Sequence, residues 1–281
     1  MTSPAAFFRR HKWAAFLSHQ ALLFAAALAF LSTFRKLTGR DIHLGREPVG
    51  ALGGAALLAL SAAVVAFTWA LYRWLKGPDA PPLGLGLTRR RAAECAAGAL
   101  LGFALAAWPW AGALLTGGTF VRDHVGAHFD AAGVVLVFAL ALPLLFAGAF
   151  AEEVANRAFP MRLWPERTLA FRALVPSLFF AALHLAGEPF APARFALLVA
   201  GGVVQSLAYA LTGNVWLASG LHFGGNFAGF FASGLWHAGA ALEVVGRPLA
   251  PGWTSTPAML AAALCALAFT RKDETAGRPT L

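Results

Sequence analysis

Apolar stretches long enough to cross a membrane recur along this sequence, and one of them carries two adjacent acids. The run VVLVFALALPLLFAGAFA begins at Val134 and leads straight into Glu152 and Glu153, with no charged residue between Asp130 and the pair. In a bilayer every backbone N–H and C=O must be paired inside the protein, so continuous apolar runs of about 20 residues leave the helix as the spanning structure. A carboxylate at that depth costs about 3 kcal/mol or more, which marks it as functional or as one half of an ion pair. Arg157 follows Glu153 by four residues, one helical turn on and on the same face, and can serve as its partner.

The rest of the composition agrees with a membrane protein. Apolar residues make up 59% of the chain and charged residues only 12%, against roughly a quarter charged in soluble domains. A soluble globular fold is therefore not expected. Spans are expected at 13–34, 49–72, 92–115, 133–160, 169–186, 195–211, 215–232 and 257–270. The predicted fold is all-α, a polytopic bundle of about eight transmembrane helices. It forms one integral membrane domain over residues 1–281, with a core at 133–235 that carries the polar motifs. The stretch from Trp13 to Phe34 is long for a signal peptide and reads as a retained first helix. Cys95 and Cys265 both lie in apolar segments and read as small packing residues.

A net charge of +9 invites a nucleic-acid reading, but the 22 basic residues are scattered between the apolar segments. There they orient the helices and meet anionic lipid head groups, so no nucleic-acid partner is expected. With the N-terminus inside, 15 of the 22 basic residues fall on the cytoplasmic side and seven opposite. Both termini are thus expected in the cytoplasm of a multi-pass protein of a bacterial plasma (inner) membrane. In this topology the fourth and fifth spans form a hairpin turning near Trp164-Pro165-Glu166-Arg167, which sets Glu152 and His184 at similar depth.

Two more polar constellations lie downstream in apolar segments, Phe180-x-x-x-His184 and His222-x-x-x-Asn226. A general base for water must be a carboxylate or imidazole within hydrogen-bond reach of it. Glu152 and Glu153 point about 100° apart on a helix, so one can activate water while the other pairs with Arg157. His184 can share that water or protonate a leaving amine. His222 and Asn226, one turn apart, can donate to a developing oxyanion. The same groups also admit a proton relay in a membrane transporter, or the polar contacts of a non-catalytic scaffold or immunity protein. No pair of matching interrupted helices suggests the inverted repeats of a transporter. His124-x-x-x-His128, with Asp123 and Asp130, has metal-ligand spacing but falls in an expected external loop, and His19 with Gln20 has no partner that sequence identifies.

Glu152-Glu153-Val-Ala-Asn-Arg157, Phe180-Ala-Ala-Leu-His184 and His222-Phe-Gly-Gly-Asn226 together resemble the EExxxR, FxxxH and HxxxN motifs of the CAAX-protease and bacteriocin-processing (CPBP, or Abi) family of intramembrane proteases. The resemblance covers roughly 133–235 and implies hydrolysis of a peptide bond in a membrane-embedded or lipidated peptide. It implies that Glu152 with His184 activates water, that His222 with Asn226 stabilises the oxyanion, and that Glu153, Arg157 and Phe180 support the site. Both a metal-dependent and a metal-free glutamate mechanism are compatible with it. Glu152, His184 and His222 would give Zn2+ three ligands and an open position, and the same groups suffice without it. Asn156 stands where the family often has an aromatic residue, and Pro160 should kink or end its helix.

Overall fold

The computed structural model describes residues 3–38, 51–115, 119–121, 131–184, 190–233 and 243–245. Its helices are α1 (Pro4–Arg10), α2 (Lys12–Thr38), α3 (Ala51–Lys76), α4 (Arg89–Leu115), α5 (Ala131–Glu153), α6 (Phe159–Leu163), α7 (Leu169–His184), α8 (Pro192–Thr212) and α9 (Trp216–Ser233). A π-helical turn, Val154–Ala158, joins α5 to α6. Two three-residue strands, Thr119–Val121 and Glu243–Val245, pair with each other. The class is all-α, a membrane helix bundle. Among the described residues, four helical stretches are long and apolar enough to cross a membrane: Lys12–Thr38, Leu52–Lys76, Phe138–Leu163 and Pro192–Thr212. The first seven expected spans fall on helices in their described parts, whereas 257–270 and the histidines at 124 and 128 lie outside the described residues.

The chain divides into two compact units. The first comprises Met1–Pro81, Phe120–Ala151 and Asn226–Glu243. Here α2 and α3 are joined by a buried polar contact. Gln20 Nε2 donates to His19 Nδ1 at 3.4 Å, and His19 Nε2 donates to Thr68 Oγ1 at 2.9 Å. Thr68 is the partner that sequence reading did not supply for His19, because it lies 49 residues away on another helix. Phe138, Ala141, Phe227 and Phe230 form an apolar cluster in the same unit.

The second unit comprises Pro82–Thr119, Glu152–Gly225 and Val244–Leu281. In it α4 and α9 meet along glycines from both sides. A Cβ at Gly98 or Gly102 would run into the backbone of Leu217 and Leu221, and one at Gly220 or Gly224 into that of Cys95 and Ala99. Small residues allow this approach of two backbones, where membrane helices associate through packing. Helix α9 turns about 100° per residue, so Gly220, Leu221 and Gly224 occupy one side and His222 the other. The seam with α4 thereby aims His222 away from α4.

Helix α8 starts with Pro192 in its first turn and ends at Gly213, whose φ of 66° closes the helix through an N–H bond to Tyr209 O. The segment before α4 then lies across that end. Gly84 has φ 76°, and a Cβ there would sit 2.5 Å from Asn214 Cα. Tyr209 Oη donates to Leu83 O, Trp216 Nε1 to Gly86 O, and Asn214 Nδ2 to Glu94 Oε2. These contacts fix the entry of α9 into the bundle, and with it the height of His222.

Candidate active site

The site is assembled from the α5–α6 junction, α7, α8 and the part of α9 that carries His222, within the second unit. Its centre is Glu153, wholly buried, with a different partner at each oxygen. Oε1 accepts from His222 Nδ1 at 2.8 Å, and Oε2 lies 3.4 Å from Arg157 Nε. A carboxylate only accepts, so Nδ1 of His222 carries the proton and the ring orientation is set. Nε2 of the same ring lies 3.6 Å from Glu152 Oε2. The two glutamates thus hold one imidazole between them.

Their environments differ. The Glu153 side chain is 0% exposed and that of Glu152 is 44% exposed. Glu152 keeps Oε2 buried toward His222 and makes no hydrogen bond through it among the described residues. The 3.4 Å approach of Arg157 Nε to Glu153 Oε2 is likewise an ion pair without an aligned hydrogen bond.

Arg157 is held on several sides besides this one. Nη2 donates to Gln205 Oε1 at 2.6 Å, Nη1 donates to Asn156 O at 3.2 Å, and the guanidinium carbon lies 4.7 Å over the Phe180 ring. The backbone explains the second contact. In an α-helix the carbonyl of Asn156 would receive the N–H of residue 160, which is Pro160 and has none. That carbonyl is free to take Arg157 instead. The expected disturbance from Pro160 is realised one turn earlier as the π-helical turn Val154–Ala158, closed by Phe159 N–H to Val154 O. Single π turns of this kind concentrate at functional sites. Asn156 uses its side-chain amide to reach Glu152 O at 3.0 Å, supplementing the backbone where the helix changes period.

Phe180 links α7 to the rest. Its ring lies 5.9 Å edge-on to His222 and 4.4 Å from the His184 ring, besides carrying Arg157. His184 donates Nδ1–H to Phe180 O at 2.8 Å, which leaves its Nε2 lone pair as an acceptor. Asn226 lies one turn beyond His222 on α9 and is half-buried. The structure therefore unites Glu152, Glu153, Arg157, Phe180 and His222 by direct contacts, with His184 joined through Phe180. Sequence reading overlooked Gln205. A lone amide between Phe195 and Leu211 in an apolar span was the available signal.

His222 has Nδ1 committed to Glu153 and Nε2 turned to Glu152, and among the described residues no three His, Cys, Asp or Glu side chains are placed to share one ion.

Residues 134–228 match a family described as type II CAAX prenyl endopeptidase Rce1-like. The similarity covers 95 of the 281 residues. The match begins with the apolar run of α5 and ends two residues past Asn226, so it contains all three motifs and every contact just described. The family's description is of prenyl endopeptidases, and the similarity to it is confined to this core. The Rce1-like core occupies the part of the sequence where the polar motifs were found, and α1–α4 lie outside it. No curated protein matches the chain.

Proposed function

We propose that this chain is an intramembrane endopeptidase that cleaves near the C-terminus of a prenylated, membrane-associated protein, with Glu152 as the general base. The observation that carries the reading is the contrast between the two neighbouring carboxylates in an Rce1-like segment. Glu153 is sealed between Arg157 and His222, whereas Glu152 is 44% exposed and faces the same imidazole. One acid fixed as a counter-charge beside another open to solvent is how paired carboxylates divide structural and proton-carrying roles.

In the reaction, water lies between Glu152 and His184, whose Nε2 lone pair is free to accept from it. Glu152 takes the proton as the water oxygen bonds to the scissile carbonyl carbon. The carbonyl oxygen becomes an anion and receives hydrogen bonds from Asn226 and from a protonated His222 through Nε2–H. The C–N bond then breaks, and the proton held by Glu152 passes to the leaving amine. Glu153 and Arg157 keep His222 oriented throughout. A prenyl chain dissolves in the surrounding lipid and brings the peptide to a site at membrane depth. The excess of basic residues in the loops assigned to the cytoplasm supports a plasma-membrane protein with both termini inside, its loops against anionic lipid.

The test uses purified protein in lipid vesicles and a farnesylated peptide, with release of the C-terminal fragment measured by mass spectrometry. Wild type should release it, the unprenylated peptide should be a poorer substrate, and Glu152→Gln should slow release roughly 10²–10⁴-fold, the share of a general base. Equal rates for wild type and Glu152→Gln sink the proposal.

A further inference from the structure

We infer that Gln205 is a positioning residue for this site, acting on His222 through Arg157 and Glu153; the inference rests on the catalytic reading above and extends it to α8. The chain of contacts is continuous. Gln205 Oε1 accepts from Arg157 Nη2 at 2.6 Å, Arg157 Nε lies 3.4 Å from Glu153 Oε2, and Glu153 Oε1 accepts from His222 Nδ1 at 2.8 Å. Both intermediate groups, Arg157 and Glu153, are buried, so little solvent is present to absorb a displacement.

The chemistry requires a neutral acceptor at this position. Two carboxylates already face Arg157 and His222. A third would draw the guanidinium off Glu153, whereas an apolar residue would leave Nη2 without its acceptor. An amide satisfies the donor and adds no charge. The pocket is also shaped for the guanidinium. Gly202, one turn before Gln205 on α8, has no side chain where a Cβ would lie 3.1 Å from Arg157 Nη2 and 2.7 Å from Ser177 Oγ. Phe180 covers the flat face of the group and Asn156 O takes Nη1. The weak direction is along Nε, where the ion pair has no aligned hydrogen bond. Loss of the hold at Nη2 therefore lets Arg157 move relative to Glu153, and Glu153 carries His222 with it.

The experiment compares Gln205→Leu, Gln205→Glu and Gly202→Ala with wild type, using Gln20→Leu as a control that removes another buried amide. Two readouts are taken. In the first, histidine-labelled protein in micelles reports the ring-nitrogen resonances of His222, identified by their loss in His222→Ala. These should move in both Gln205 variants and stay in place in Gln20→Leu. In the second, kcat on the farnesylated peptide should fall at least tenfold with KM within about twofold, at a temperature where each variant is folded. Gln205→Glu keeps the size and the acceptor and changes only the charge, and Gly202→Ala displaces Arg157 from the other side. Unmoved His222 resonances in the folded Gln205 variants overturn the inference, as does an unchanged kcat in them. If wild type cleaves no peptide, the protease reading fails, while the His222 resonances still decide whether Gln205 controls that ring.

Discussion

Replacing Arg157 by methionine is the most demanding perturbation of this site. The substitution keeps a long side chain over Phe180 but removes the charge and every donor. Among the described residues, Glu153 would then be a wholly buried carboxylate left with His222 Nδ1 as its partner. Removing one member of a buried pair typically costs about 3–5 kcal/mol. Gln205 Oε1 and Asn156 O lose their donors as well, at about 1–3 kcal/mol for a group that cannot find a new partner. These terms share one residue and do not add, so a total of about 3–5 kcal/mol is expected, out of roughly 5–15 kcal/mol for a whole domain. Glu152→Gln should behave differently. Glu152 is 44% exposed and its contact with His222 is 3.6 Å long, so the loss should stay within about 1 kcal/mol. The double change Glu153→Gln with Arg157→Met removes both charges and should recover part of the stability without restoring activity. Unfolding in mixed micelles, followed by thermal shift and by titration with a denaturing detergent, ranks the four proteins. If Glu152→Gln proves as damaging as Arg157→Met, the roles given to the two glutamates are reversed. A double variant no more stable than Arg157→Met would show that the buried charge is not the source of the cost.

Two further outcomes are expected. Gly224→Ala should cost about 1–3 kcal/mol by forcing α9 from α4, while Gly225→Ala, whose Cβ meets nothing within 4 Å, should change melting by little; equal effects would remove the seam argument. Prolonged dialysis against a zinc chelator should leave peptide release unchanged, as fits a site with no three-ligand group among the described residues; loss of activity restored by added zinc would contradict that geometry.

Much of this protein was legible before any coordinates. Long uncharged runs admit only helices in lipid, so the all-α membrane class followed from composition and spacing alone. The pairing of Glu153 with Arg157 was equally local, since four residues make one turn and both ends of the pair are in one motif. Even the disturbance at Pro160 could be foreseen, because a missing N–H is a property of the residue itself. What the linear order does not contain is which face of one helix meets which face of another. Thr68 as the partner of His19, Gln205 as the partner of Arg157, and the two sets of glycines between α4 and α9 depend on contacts across 48 residues or more. The same holds for His222. Its spacing to Asn226 suggested a pair of donors, yet its Nδ1 belongs to Glu153, 69 residues earlier. Helical periodicity determines direction around one axis. Packing alone decides which groups share a buried space, and there the energy of an unpaired charge is large enough to select the arrangement.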